Sequence, residues 1–412
     1  MDVPALVQQE LMGCDGNPAL AAEAFLELVF VWWRAGCGDC LAEALPLAPE
    51  PDHPAVRLLT GATPPEAGVV LSRWEEADLL RQALDRDGEQ PAWNYLLAVW
   101  EVENARVQQG LERLAGVAAR ESGVSWLAHC VLADHAAHVA GQPEAAVVHL
   151  EAVLAARPED HRLLCWLDDL LRGLQDLPSR RERWASVSPA LRQRGDIVFR
   201  LARLALDEGR GADAAAMLLA QRFSVYEGGT SIRRLYVDAL LVAALAALVR
   251  QDSAAAAGHC RAVLEYPENL GAASYLGEHS RLARFLLGEI ASRSAQTDRA
   301  EEWWRDVLAR SGGSTAYTVG GEDAAGKLRD DERVAVWLSA ERLGENPTGT
   351  AIPIPTEKPA SEGALRAALV ASIRTGSRNP DWECLALASY PCSPLLRILV
   401  GLASLAPGGS PP

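Results

Sequence analysis

Lysine is almost missing from this sequence, which contains only Lys327 and Lys358 among 412 residues. The other basic residues are arginines, and they are outnumbered by acidic residues, so that the net charge is −16 and the pI is near 5.0. Binding to nucleic-acid phosphates requires a basic face, which this balance does not favour. The sequence therefore argues against a nucleic-acid partner.

Signals for export and membrane insertion are also lacking. The first residues, MDVPALVQQEL, have neither the basic nor the apolar region of a secretory signal peptide. The longest purely apolar run, 239–249, has 11 residues, whereas a membrane-spanning helix needs about 20. Eight cysteines are scattered along the chain without a dense framework, which is typical of free thiols in a reducing compartment. We expect a soluble cytoplasmic protein with no membrane partner.

Alternating Val, Ile and Thr runs are scarce, which leaves little signal for strands. Helical periodicity is present instead. In the stretch ALAAEAFLELVFVWW the large apolar residues fall at positions 25, 28, 29, 32 and 33, the spacing of one buried helix face. The sequence predicts an all-α protein.

The helices are short and come in pairs, with a repeat that is clearest in residues 126–160. There Gly141 makes the turn, Ala146 is the small residue where two helices cross, Leu150 packs beside it, and Pro158 ends the second helix. These features are typical of a tetratricopeptide hairpin.

The same register continues along the chain. Steps of 34 residues from Ala146 reach Arg180, in a weaker unit, and Ala214; longer steps of 42 and 44 residues reach Ala256 and Ala300. We expect a right-handed solenoid of about eight to ten hairpins with a short helical C-terminal cap.

Composition divides the chain into five segments. Residues 1–62 are predicted as one or more N-terminal hairpins and 63–310 as the repeat array. Residues 311–361 combine loops, one helix and a proline-rich linker. Residues 362–406 are predicted as C-terminal helices and 407–412 as a disordered tail.

The longer repeat steps come from two extended connections, YEGGT after Val225 and YPENLG ending at Gly271. Connections between consecutive hairpins emerge on the same edge of a solenoid, so we expect these loops to lie side by side. Their candidate edge residues are Tyr226, Glu227, Gly228, Gly229, Tyr266, Pro267, Glu268 and Asn269. Two interpretations stay open: the acidic and amide side chains cap the following helices, or the loops form a docking edge.

The run RFSVYEGGTSIRRLY followed by AVLEYPENLGAASYLGEHSRLARFLLGEI resembles the tetratricopeptide region of large bacterial proteins that carry an N-terminal β-rich domain of unknown function. Tyr226 stands where that family typically has tryptophan. The resemblance implies a helical-repeat fold, and a β-rich domain as the occupant of the loop edge. Helical repeats are predicted from about residue 20 of this chain, so we expect no β-rich domain within it and do not carry over the activity of that domain.

In the tetratricopeptide register, positions 9 and 12 of each first helix line the concave groove. The candidate groove residues are Tyr95, His135, His138, Arg162, Asp169, Arg172, Asp196 and Arg203. Residues 157–210 hold 11 arginines and 9 acidic residues. They form either a solvated face with ion pairs or a groove that grips a carboxylate or acidic peptide through bidentate arginine contacts.

Metal-ligand spacings are incomplete. Cys37 and Cys40 form a lone C-x-x-C without the second pair of a zinc site or the βαβ context of a redox motif, which favours incidental thiols. His135 and His138 share a helix with His129, but the glutamate of H-E-x-x-H is missing and His149 belongs to the partner helix. We expect no metal and no cofactor.

No phosphate-binding loop, dinucleotide fingerprint or nucleophile elbow occurs, and acid pairs such as Asp168-Asp169 are common on helix surfaces. The sequence therefore favours a non-enzymatic scaffold or adaptor that binds a peptide, a protein domain or a glycan-related partner. The alternatives are an accessory subunit of a carbohydrate-active enzyme, working with a separately encoded β-rich domain, and less readily an α-helical glycosidase.

Overall fold

The fold is known from a computed structural model. It describes residues 2–61, 73–86, 88, 90–224, 230–265, 267–271, 281–309, 330–345, 359, 361–376 and 379–405. These residues form 21 α-helices and no strand, so the predicted all-α class is confirmed. Within the described part of the chain, no helix is both long and apolar enough to cross a membrane.

The chain divides into two compact units, residues 1–158 and 159–412. The first unit contains nine helices in its described part: α1 Val3–Met12, α2 Pro18–Arg34, α3 Gly38–Ala44, α4 Pro54–Thr60, α5 Trp74–Arg86, α6 Pro91–Glu103, α7 Val107–Ala118, α8 Ser125–Asp134 and α9 Pro143–Ala156. A π-helical turn, His135–Val139, extends α8. Consecutive helices pack in pairs, most extensively α6 with α7 and α8 with α9.

The second unit contains twelve helices in its described part: α10 His161–Gly173, α11 Leu177–Ala185, α12 Gly195–Asp207, α13 Gly211–Leu219, α14 Thr230–Val249, α15 Ser253–Leu264, α16 Arg281–Arg293, α17 Thr297–Ala309, α18 Asp330–Arg342, α19 Glu362–Thr375, α20 Pro380–Ser389 and α21 Pro394–Ser404. Here too each helix packs on the next: α12 on α13, α14 on α15, and α16 on α17.

Helix starts follow from local sequence. Four helices have an N-cap side chain that accepts hydrogen bonds from first-turn amides: Asn17 for α2, Asp160 for α10, Asp176 for α11 and Asp252 for α15. These bonds satisfy donors that have no partner inside the helix. Between α8 and α9, Gly141 has a φ of +64°, in the left-handed region that glycine enters without steric cost. The hairpin turn predicted there is therefore present.

The predicted helix-crossing positions are all in the core. Ala146, Arg180, Ala214, Ala256 and Ala300 each have 0% of their surface exposed. A small side chain lets two helix backbones approach closely, which explains alanine at four of these sites. Arginine at the fifth creates an unusual environment in the second unit.

The C-terminal helices contact more of the second unit than a cap on its last hairpin would. Helix α21 packs against α14, in the middle of the unit, as well as against α18 and α19. Gly401 allows this approach, because a Cβ atom there would lie 3.1 Å from the Leu245 side chain. The apolar residues of α21, including Leu396, Leu399 and Leu402, complete the core that α12–α16 begin.

Candidate functional site

Five of the predicted groove residues lie on two helices of the second unit. Arg162, Asp169 and Arg172 are on α10, while Asp196 and Arg203 are on α12. Helix α10 packs on α11, and α12 packs on α13. Of these five residues, Asp169, Arg172 and Arg203 take part in one connected set of ion pairs, which we call the α10–α12 ion network and which also includes Asp168, Arg180, Arg200 and Asp207.

The buried centre of this network is Arg180, on α11. Its Nε lies 2.8 Å from Oδ1 of Asp168, and its Nη1 lies 2.7 Å from Oδ2 of Asp207. Trp184 donates a second hydrogen bond to Asp168, at 2.8 Å. Burial by itself would lower the pKa of Arg180, but the charges and hydrogen bonds of the two carboxylates outweigh it and raise that pKa. The arginine is therefore held in its charged form by two buried acids.

From this centre the network reaches the surface through Arg203. Its guanidinium lies 3.4 Å from Oδ2 of Asp168 and also contacts Oδ1 of Asp169. Arg200 binds the other oxygen of Asp169 at 2.6 Å. Burial would raise the pKa of Asp169, but the hydrogen bonds and charges of Arg203 and Arg200 lower it. Two arginines thus converge on one carboxylate, whose side chain is 45% exposed.

Both arginines are fixed by further contacts. The Nε atom of Arg200 donates to the carbonyl oxygen of Cys165 at 3.2 Å. The guanidinium of Arg203 lies over the ring of Phe199, 5.4 Å from its centroid. Such contacts hold the side chains in one orientation before any ligand arrives, which lowers the entropic cost of binding.

At its other end the network binds the C-terminal segment. Arg172 lies 3.1 Å from Oδ2 of Asp207 and donates to the carbonyl oxygen of Cys392 at 2.7 Å. Gln175 accepts from the backbone amide of Cys392 at 2.9 Å, and Arg397 donates to the carbonyl oxygen of Asp207. Arg172 is thus engaged by the protein's own C-terminal segment, whereas Arg200 and Arg203, whose side chains are each 17% exposed, contact the more exposed carboxylate of Asp169.

Asp196 belongs to a neighbouring polar group. Its carboxylate pairs with Nδ1 of His161 at 3.0 Å and with Nε of Arg194 at 3.1 Å. Burial would raise the pKa of Asp196, but the Arg194 and His161 contacts lower it. The Arg162 side chain is exposed on the first turn of α10.

The remaining predicted groove residues lie in the first unit. Tyr95 is half-buried against two apolar clusters, and burial raises the pKa of its hydroxyl. His135 and His138 lie in the π-helical turn, where His138 pairs with Asp134 at 3.7 Å on an exposed face. The structure brings neither histidine into an ion network like that of the second unit.

At the predicted loop edge, Tyr226, Glu227, Gly228, Gly229 and Tyr266 lie outside the described residues. Pro267 is half-buried and Glu268 is exposed. The side-chain amide of Asn269 donates to the carbonyl oxygens of Leu218 at 3.1 Å and Gln221 at 2.8 Å. The backbone carbonyl of Asn269 accepts from the backbone amide of Phe223 at 2.8 Å. Residues 222–224 and 267–271 are therefore adjacent.

This contact corrects the predicted role of Asn269. The capping interpretation had the amide accepting hydrogen bonds at the start of the next helix. In the structure the side-chain amide donates to carbonyls in the last turn of α13, an earlier helix, and just after it. It thereby satisfies acceptors that a helix end leaves free. Gly271 has a φ of +73°, and a Cβ atom there would lie 2.5 Å from the Phe223 carbonyl oxygen, so this close approach requires glycine.

Two sequence interpretations are corrected. Asp168 and Asp169 are not a surface pair, because Asp168 is only 2% exposed and binds Arg180. Cys37 and Cys40 form a disulfide instead of carrying free thiols, whereas the other six cysteines take no part in a disulfide. The sequence held one signal for the buried network, namely arginine at position 180 where the repeat otherwise places alanine.

The chain matches no protein-family model and no curated protein. The resemblance to the tetratricopeptide region of bacterial β-domain proteins, based on residues 222–290, stays a prediction.

Proposed function

We propose that this protein is a non-enzymatic scaffold whose hairpins form a right-handed, tetratricopeptide-like solenoid, and that it binds an acidic protein or peptide segment on the exposed face of α10 and α12. The observation that carries the proposal is the convergence of Arg200 and Arg203 on the exposed carboxylate of Asp169. Paired guanidinium groups are well suited to carboxylates because their planar donors match both oxygens.

In this proposal Asp169 occupies the position of a partner's carboxylate. On α10, α12 and their N-cap residues, the exposed or half-buried charges comprise five arginines, Arg162, Arg172, Arg194, Arg200 and Arg203, and three aspartates, Asp160, Asp169 and Asp196. The face therefore keeps a positive excess even though the whole chain carries −16. An incoming glutamate or aspartate would add to, or replace, the contacts that Asp169 makes.

A binding assay with a fluorescein-labelled, glutamate-rich peptide tests this site. The Asp169→Asn variant removes the internal carboxylate and should bind the peptide about 10-fold more tightly, a change of about 1.4 kcal/mol. The double variant Arg200→Gln/Arg203→Gln should bind the peptide at least about 10-fold more weakly than wild type does. Affinity should also fall with added salt, because the contacts are between exposed charges.

The matched control is Arg305→Gln, since Arg305 forms an exposed ion pair with Glu301 on α17 and should not affect binding. If Arg200→Gln/Arg203→Gln binds the peptide as well as the Arg305→Gln variant does, the site is wrong. If the double variant does lose binding, affinity capture followed by mass spectrometry, comparing wild type with that variant, would identify the cellular partner that depends on these two arginines.

A further inference from the structure

Two histidines of the first unit face each other across the α8–α9 hairpin. The Nδ1 atoms of His129 and His149 lie 3.0 Å apart, and their ring centroids are 5.3 Å apart. In a five-membered ring with bonds of about 1.35 Å, each nitrogen lies about 1.15 Å from the centroid. The two nitrogens and the two centroids therefore lie almost on one line, with the nitrogens pointing at each other.

The contact between the two rings is a hydrogen bond between ring nitrogens. One Nδ1 atom therefore carries the proton, and the other presents its lone pair to it.

This arrangement has the features of a metal-binding pair. Imidazole is a good ligand for copper and zinc, and here two imidazole nitrogens point at each other at a distance of 3.0 Å. Both histidines are half-exposed, so an ion can reach them. Among the described residues no group of three or more potential ligands occurs, which restricts the site to two protein ligands.

We propose that His129 and His149 bind one Cu(I) ion through their Nδ1 atoms in a linear, two-coordinate geometry. A closed-shell monovalent ion accepts two opposed ligands, whereas Zn²⁺ takes four ligands in a tetrahedron and would require the two rings to turn away from their common line. The collinear nitrogens therefore favour Cu(I).

Binding requires a small opening of the pair. Two metal–nitrogen bonds of about 2 Å placed end to end separate the nitrogens by about 4 Å. This is about 1 Å more than the 3.0 Å between the two Nδ1 atoms in the structure. Half-exposed side chains can provide this by small rotations about their χ angles. The proton between the two Nδ1 atoms leaves to solvent, and Nε2 of the ring that carried it takes one up. Both rings stay neutral and the site gains the +1 charge of the ion.

Nuclear magnetic resonance of protein labelled with ¹⁵N in its eight histidines tests this directly. Cu(I) is added without oxygen, in ascorbate, and long-range ¹H–¹⁵N spectra are recorded. We expect one equivalent to shift the Nδ1 resonances of His129 and His149 and to leave those of His135 and His138 in place. In parallel, competition with the chelator bicinchoninate should show one fewer bound Cu(I) in His129→Gln and in His149→Gln than in wild type.

Free cysteines also bind Cu(I), but they are common to all these proteins, so the difference of one equivalent reports the histidine pair. The double variant His135→Ala/His138→Ala should keep the wild-type number of bound ions. The proposal is overturned if the His129 and His149 resonances do not move while Cu(I) binds elsewhere, since the pair is then a hydrogen bond only. The spectra of the wild-type protein decide this even if a variant fails to fold.

Discussion

Arg180 and Asp207 lie 2.7 Å apart, guanidinium nitrogen to carboxylate oxygen, with neither side chain exposed to solvent. Arg180 occupies the crossing position that is alanine in four other hairpins, so the hairpin of α10 and α11 must accommodate a large charged side chain where its neighbours have a methyl group. It does so by placing Asp168 and Asp207 around the guanidinium. Charges taken out of water are tolerated when they are paired in this way.

Replacing Arg180 with alanine restores the residue typical of the repeat, yet it should destabilise the protein. The substitution leaves two buried carboxylates without their shared partner, for which a cost of about 3–5 kcal/mol is expected. Urea denaturation followed by circular dichroism should show a lower midpoint for Arg180→Ala than for wild type.

The adjacent Arg181 provides the control. Its side chain is 61% exposed and pairs with Glu208, so Arg181→Ala should change the free energy of unfolding by no more than about 1 kcal/mol. Equal midpoints for the two variants would contradict the structural role given to Arg180.

Two glycines of α7 should respond in opposite directions to alanine. A Cβ atom at Gly110 would lie 2.6 Å from the Ala98 carbonyl oxygen of α6, whereas one at Gly116 meets nothing within 4 Å. Gly110→Ala should therefore cost about 1–3 kcal/mol through forced separation of the helices. Gly116→Ala should stabilise by about 0.5–1 kcal/mol, because alanine favours a helix interior. Thermal melting of both variants would measure the contrast, and a loss of stability at both sites would count against the observed packing of α6 on α7.

Asn269 should be more important for stability than its neighbour Glu268. Asn269→Ala leaves the carbonyls of Leu218 and Gln221 without this donor, at a cost of about 1–3 kcal/mol. Asn269→Asp should be at least as harmful, because a carboxylate cannot donate and would face carbonyl oxygens. Glu268 is exposed, so Glu268→Gln should leave stability within about 0.5 kcal/mol of wild type.

Limited trypsin digestion after Arg222, combined with urea unfolding, would report on this contact. Faster cleavage in Asn269→Ala than in Glu268→Gln is expected. If instead Glu268→Gln is the more damaging substitution, Asn269 is not what connects the two loops.

Glu332 should make stability depend on pH near neutrality. Burial, and secondarily the charge of Asp331, raise its pKa to about 7, while Arg281 acts in the opposite direction. Its oxygens lie 3.2 Å from Nη1 of Arg281 and 3.4 Å from the backbone amide of Leu282, at the start of α16. Because the folded protein holds this proton more tightly than the unfolded chain does, the contribution of Glu332 to stability is fully present below about pH 4.5 and is lost as the pH rises through about 7.

Urea midpoints measured from pH 5 to pH 8 should therefore fall with rising pH in wild type, and the fall should be smaller in Glu332→Gln, whose side chain cannot ionise. Glu301→Gln, on an exposed face of α17, should keep the wild-type slope. Identical slopes in all three proteins would show that Glu332 does not titrate in this range.

Much of the helical framework was predictable because it depends on local sequence. Apolar spacing marked the buried faces of the helices, and Gly141 marked a turn at which the φ angle is positive. The 34-residue register placed Ala146, Arg180 and Ala214 in the core, where each is fully buried. Such features repeat at fixed intervals, so a periodic pattern reveals them.

The candidate site was only partly predictable. The sequence pointed to Asp169 and Arg203, but it gave no reason to separate Asp169 from Asp168, which is buried against Arg180. Likewise, His129 and His149 are 20 residues apart, and their head-on contact depends on how α8 and α9 cross. Neither a charge count nor a spacing rule shows which of two adjacent side chains turns inward.

The sequence by itself determined the all-α class, the turns and the buried register, since these follow from backbone conformation and from the burial of one helix face. Only the tertiary structure decided that α21 packs on α14, that Cys392 binds Arg172, and that Asn269 joins α13 to a loop about 50 residues later. These contacts join segments far apart in the chain, and their free energy comes from shape and hydrogen-bond geometry that form when the helices pack. Periodicity within a single segment carries no information about them.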